Sequence, residues 1–201
     1  MGTQWLTLVG VKDTASPQLD LPLSFGNFTA AVWKSLSGGT ALNVREPPQY
    51  PWVIAVESSD PGSLQKVVDY IFSSSRTDAA GEPETFQEIY RCDNAINIAD
   101  DDRDVFVVRI SARDTSLETL NHWYNFVHLP EVNRAGLLGG RRFKAVKSKR
   151  TFLALYRPET VDVLRSEAIS AIRGFGGFEG SIEEFSRLEA RTVARYSGVS
   201  R

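Results

Sequence analysis

The chain has 201 residues, of which 42% are apolar, 24% charged and 10% aromatic, a globular balance that excludes a fibrous or wholly disordered protein. The formal net charge of −2 and the pI of about 5.8 argue against a nucleic-acid or membrane partner. One cysteine, Cys92, excludes an internal disulfide framework and a cysteine zinc cluster, and the only histidines are His122 and His128.

No secretory pattern opens the chain, and no apolar run reaches the ~18 residues of a membrane span, so a cytoplasmic location is expected. Trp5 to Val11 predicts a strand. After a Pro/Leu/Ser-rich stretch from Ser16 to Ser24, Asn27 is placed to cap a short helix over 28–36, stopped by Gly38-Gly39. Thr40 to Arg45 and Trp52 to Glu57 read as strands joined by the proline-rich turn from Glu46 to Pro51. Asp60-Pro61 signals a capped helix whose apolar face carries Leu64, Val67, Val68, Ile71 and Phe72. Thr85 to Cys92 predicts a closing strand.

A polar stretch from Asn94 to Asp104 ends in Asp100-Asp-Asp-Arg-Asp104 and reads as a solvated connector. It lacks the glycine and distal glutamate of an EF-hand calcium loop. The order of elements then repeats. Asp104 to Ala112 predicts a strand. Thr115-x-x-Glu118 resembles a capping box opening a helix that should end before Pro130. Arg141 to Lys147 and Thr151 to Tyr156 predict strands, Pro158 starts a helix carrying Val161, Leu164, Ala168 and Ile172, and Leu188 to Tyr196 closes the block.

The order β-α-β-β-α-β thus occurs twice, about 100 residues apart. This predicts an α+β fold of two tandem ferredoxin-like units forming an α+β barrel: residues 1–93, a connector at 94–103, and residues 104–201. Each unit has one bare sheet face, and stacking the two buries both.

Chemically capable residues concentrate in Asn121-His-Trp-Tyr-Asn-Phe-Val-His-Leu-Pro-Glu131. On a helix Tyr124 and His128 are neighbours on the sheet-facing side. His122 and His128 lie about 240° apart around a regular helix and cannot chelate one metal, so no metal is expected. An imidazole beside a tyrosine on an apolar face reads either as a satisfied core histidine or as a general acid or base flooring a pocket. Arg141 and Arg142 point to opposite faces of their strand, one of them expected to face solvent and the other, with Arg142 preferred, to pair with a carboxylate or hold an enolate or carboxylate substrate. Tyr156 could donate to a developing oxyanion. Gly174-Phe-Gly-Gly-Phe-Glu-Gly180 is a flexible loop or a lid carrying Phe175 and Phe178. Trp5, Trp33 and Trp52 read as core, while Trp123 could also line a pocket or interface.

Trp123, Tyr124, Asn125, His128, Leu129, Pro130 and Glu131, continued by Gly139, Arg141, Arg142, Phe143 and Leu153-Ala154-Leu155-Tyr156, form a pattern that resembles the dimeric α+β barrel superfamily, nearest to the EthD-like proteins. The resemblance covers 104–157 well and the rest by element order. It implies a pocket between helices and sheet, frequent homodimers, and cofactor-free enzymes that cyclise, dehydrate, decarboxylate or oxidise aromatic and polyketide-like compounds, alongside members without known activity. It also implies that His128 faces the pocket. The first block has no matching histidine, so a single site in the second is expected.

The expectation is therefore a cofactor-independent lyase, cyclase or isomerase working by proton transfer on a hydrophobic small molecule. His128, Tyr124 and Arg142 would be catalytic, and Trp123, Asn125, Tyr156, Phe175 and Phe178 would contact substrate. A cofactor-free monooxygenase and a non-catalytic binding module are the alternatives.

Overall fold

The computed structural model describes residues 3–12, 16–36, 50–74, 79–172 and 174–198. Eight strands are β1 (Trp5–Val11), β2 (Phe28–Ser35), β3 (Trp52–Ser58), β4 (Ala79–Arg91), β5 (Val105–Ala112), β6 (Arg141–Ala145), β7 (Thr151–Tyr156) and β8 (Ile182–Gly198). They close into an antiparallel barrel in the order β1-β3-β2-β8-β5-β7-β6-β4. The first four strands run β4-β1-β3-β2 and the second four β8-β5-β7-β6, the same order in both sets. The seams are β2 with β8 and β4 with β6. None of these eight described strands has an open edge, which removes the hazard of edge-to-edge pairing.

Residues 28–35 form a strand, not the helix expected there. Phe28, Ala30 and Val32 face an outer core, while Ala31 and Trp33 face the barrel interior. Burial on both faces produces a continuous apolar run, and such a run carries no period that separates strand from helix. Among its described residues the first block therefore runs strand, strand, strand, helix, strand. The expected Gly38-Gly39 stop and Thr40–Arg45 strand lie outside the described residues. Leu19, Leu21 and Phe25 pack on the outer face of this half-barrel, beside helix α1 (Pro61–Ser73). Asp60 caps α1 as its sequence suggests, accepting from the Gly62 and Ser63 N–H groups.

The second block keeps strand, helix, strand, strand, helix, strand. Its first helix consists of α2 (Leu117–Trp123), a π-helical turn (Tyr124–His128) and α3 (Leu129–Arg134). The capping box does not form: a 3-10 turn at Asp114–Ser116 leads in, with no side-chain cap. Nor does the helix stop before Pro130. In a regular helix a proline ring collides with the carbonyl four residues back. Here the turn before it is widened, with the Leu129 N–H donating to the Tyr124 carbonyl five residues back. The helix expected from Pro158 is broken into a 3-10 turn, Val161–Arg165, and a short α4 (Glu167–Ala171) capped by Ser166. The last strand begins earlier than its sequence suggests, at Ile182.

The barrel interior is filled by Leu6, Trp33, Phe86, Phe143 and Leu155 among others, and at one end by ion pairs. Arg141 and Arg142 are both fully buried, so neither faces solvent as expected of one of them, and Arg141 pairs with Glu57 and with Glu88. Arg157, also fully buried, pairs with Asp101, and the Arg141 Nη1 donates to the Ile96 carbonyl at 3.4 Å. The stretch from Asn94 to Asp104 is therefore no solvated connector throughout. Ile98 is fully buried, its N–H donates to Glu57, and Asp104 is 7% exposed.

Candidate active site

A cavity of about 380 Å³ lies between the outer face of the second half-barrel and its helices. Phe106 on β5, Tyr156 on β7 and Phe185 on β8 form its floor, because alternate residues of a strand share a face. Tyr124 and His128 enter from the π turn, and Leu164 and Ile169 close the far side. The volume falls within the range of small-molecule sites.

The π turn sets the relation of the aromatic groups. In an α-helix, residues five apart point about 140° away from each other. Here Trp123 and His128 stack, with ring centroids 4.8 Å apart. Tyr124 meets the same imidazole edge-on at 4.9 Å. The Tyr124 and Tyr156 hydroxyls lie 3.2 Å apart in a hydrogen bond, both rings buried.

Burial pushes the His128 pKa down to about 4, and the nearby Arg142 cation adds to the effect. The imidazole is therefore neutral near pH 7, able to accept a proton rather than donate one. Burial also raises the pKa of Tyr124 and, more strongly, that of Tyr156, so both phenols stay protonated donors.

Arg142 stands behind this group. Burial lowers its pKa to about 10, against the opposing pull of Tyr124 and Tyr156. Its Nη1 donates to the Asn125 side-chain oxygen at 2.9 Å, while Nε and Nη2 are buried without a hydrogen-bond partner.

Of the sequence-derived candidates, His128, Tyr124, Tyr156 and Phe175 line the cavity. Trp123 backs His128, and Phe178 packs on Trp123 with centroids 5.6 Å apart. Asn125 anchors Arg142, which lies outside the cavity lining. The glycine-rich loop brings Phe175 onto Phe185 at 5.6 Å. Gly176 in that loop has φ +57, and a Cβ there would meet the Trp123 ring at 2.5 Å.

Arg165, Arg187 and Glu189 also line the cavity and were not expected to. The alternation Phe185-x-Arg187-x-Glu189 was the available signal, since period-two spacing puts all three on one strand face. Among the described residues no group of three or more His, Cys, Asp or Glu side chains is placed to hold a metal ion. No helix among them is long and apolar enough to cross a membrane.

No protein-family model and no curated protein matches the sequence. Solved structures do match. A candidate monooxygenase from Fusobacterium nucleatum superimposes with a TM-score of 0.63 at 9% identity, over 100% of this chain and 97% of its own. An anthrone oxidase-like protein gives 0.61 at 10% identity, over 98% and 94%. A mutant chlorite dismutase from Candidatus Nitrospira defluvii gives 0.62 at 9% identity, over 95% and 92%. The chain thus has the α+β barrel, ferredoxin-like fold, and the likeness at these identities is one of fold.

Proposed function

We propose that the protein is a cofactor-independent enzyme that removes an acidic C–H proton from a hydrophobic aromatic or polyketide-like compound, as an EthD-like α+β barrel would. The observation carrying this reading is the pairing, on one cavity wall, of a neutral His128 with two protonated tyrosine hydroxyls 3.2 Å apart. His128 takes the proton. The carbanion so formed delocalises onto a neighbouring oxygen, and the Tyr124 and Tyr156 hydroxyls hold that oxyanion in a dry setting where such donors act most strongly. Trp123 fixes the imidazole plane, and Phe175 and Phe178 close the loop side. Cyclisation, dehydration and isomerisation all begin with this step. The two strand sets, 1–93 and 104–201, divide the work: the second carries the site and the first completes the barrel.

A second reading follows from the same step. Were the carbanion to meet dioxygen, a CH2 carbon would become a carbonyl with release of water, and the enzyme would be a monooxygenase. The solved structures of candidate monooxygenases and of the anthrone oxidase-like protein, which share the fold, favour keeping it.

Anthrone, whose CH2 is acidic, is a suitable probe for both. In deuterated buffer under argon, its exchange at that carbon should accelerate with the wild-type protein and return to the buffer rate with His128→Asn. In air, uptake of one dioxygen per anthrone would select the monooxygenase. Bound anthrone without accelerated exchange would leave only a binding module.

A further inference from the structure

The cavity has a second polar region. In the strand register Tyr156 is opposite Phe106, and Phe106 is opposite Glu189 on the next strand. Two strand spacings place Tyr156 and Glu189 about 10 Å apart along this row. Phe106 lies between them, its ring stacked on Tyr156 at 5.9 Å. The row measures out a long flat skeleton, of the span of fused aromatic rings, with polar groups at both ends.

The far end is cationic. Glu189, 9% exposed, takes the Arg165 Nη2 at 3.2 Å and stands 4.0 Å from the Arg187 Nε. Two guanidinium groups thus share one buried carboxylate. Of the other acidic groups nearby, Asp162 pairs with Arg165 at 3.8 Å from the solvent side, 88% exposed, and the Glu179 carboxylate is engaged by the Phe175 N–H at 3.0 Å. Neither lines the cavity. Among the described lining residues, with His128 neutral, two guanidinium groups stand against one carboxylate, and Arg142 behind the wall has no carboxylate within ion-pair distance among the described residues.

From this we infer that the substrate is an aromatic carboxylate, bound lengthwise, with its carboxylate at Arg165 and Arg187 and its reacting carbon at His128. Glu189 holds the two guanidinium groups apart from each other and oriented. A guanidinium presents a planar fork of donors that matches a carboxylate, and charge-assisted bonds of this kind are the stronger ones. The inference rests on the reaction site proposed above and adds the substrate's charge and its direction in the cavity.

Anthracene-2-carboxylate and its neutral counterpart anthracene-2-carboxamide test it, by fluorescence titration of the full chain at pH 7. The carboxylate should bind about tenfold or more tightly than the carboxamide, as expected for hydrogen bonds to charged groups. In Arg187→Gln and in Arg165→Gln, each checked for an unchanged melting transition, the ratio of the two affinities should fall toward one. Equal affinity in the wild type, or an undiminished ratio in both variants, overturns the inference. Anthrone exchange, run alongside, separates the two proposals. Retained exchange without carboxylate preference removes only the anion site, while carboxylate preference without exchange removes the reaction.

Discussion

Arg142 sits over Tyr124, its guanidinium carbon 4.3 Å from the ring centroid. It also covers the Phe152 ring at 5.2 Å. Arg141, Arg142 and Arg157 are all fully buried, yet Arg141 and Arg157 have carboxylate partners and Arg142 has aromatic faces and an amide. Cation–π contact offsets part of its desolvation, by about 2 kcal/mol when water is excluded. The electrostatic result is felt by its neighbours, since an unbalanced cation opposes protonation of His128.

Arg142→Met should therefore move the His128 pKa upward from about 4, toward its ordinary 6.5. Arg142→Lys should keep most of the depression while losing the guanidinium contact with the ring. With two histidines in the chain, ring-proton NMR resolves the titration directly, His122→Asn assigning the remaining signal. The acid limb of the anthrone exchange rate should follow the same displacement. A limb that stays near pH 4 in Arg142→Met means that Arg142 does not act on the base.

The same imidazole makes stability depend on pH. Held neutral when folded and titrating near 6.5 when unfolded, it binds its proton more readily in the unfolded chain. Its contribution is complete above about pH 6.5 and declines as the pH falls from there toward 4, amounting to roughly 3 kcal/mol at the acid end. Urea titrations at pH 7.0 and 4.5 should show this loss in the wild type and a smaller one in His128→Gln. Parallel losses in both proteins would assign the acid sensitivity to other groups.

Removing one hydroxyl of the tyrosine pair leaves the other buried without its partner. Tyr156→Phe and Tyr124→Phe should each slow exchange by about 10²-fold, the effect of losing one oxyanion donor. The double variant should be far from the product of the two, because the hydroxyls act as a unit. Multiplicative losses in single-turnover exchange would show that each acts alone.

Gly176→Ala tests the loop. Its positive φ strains any side chain, and the new Cβ would press on Trp123. The expected outcome is a stability loss of about 1–3 kcal/mol together with a weakened Trp123–His128 stack. Trp fluorescence and probe affinity read the two effects, and a variant with wild-type affinity would show that the loop does not shape the cavity.

Much of the site is legible in the sequence because it depends on local spacing. Tyr124 and His128 are four apart on one helix, and Tyr156 ends a strand of unbroken apolar character. Their meeting follows from the repeat of elements. Trp123 against His128 is not legible, since residues five apart meet only through the π turn, and Pro130 suggests a stop rather than a widened turn. Residues 28–35 show no strand alternation because Ala30, Ala31, Val32 and Trp33 are buried on both faces of β2, and the polar Thr29, Lys34 and Ser35 fall only toward its ends. Arg165, Arg187 and Glu189 look like ordinary surface charges in sequence. Only the pairing of β8 with β5 within the second half's own sheet, and the 3-10 turn packed over it, bring them to the cavity.

The interior ion pairs bear on ancestry. Glu57 comes from the first half and Arg141 from the second, and Asp101 and Ile96, which meet Arg157 and Arg141, belong to the stretch joining the halves. A homodimer of the second half alone, even with the same strand order, would lack Glu57 and Glu88 opposite the buried Arg141. Breaking a buried pair in this way costs about 3–5 kcal/mol. The dependence runs one way: Arg141 of the second half requires the anions of the first, whereas Glu57 and Glu88 keep Arg91 of their own half at 3.7 and 2.9 Å.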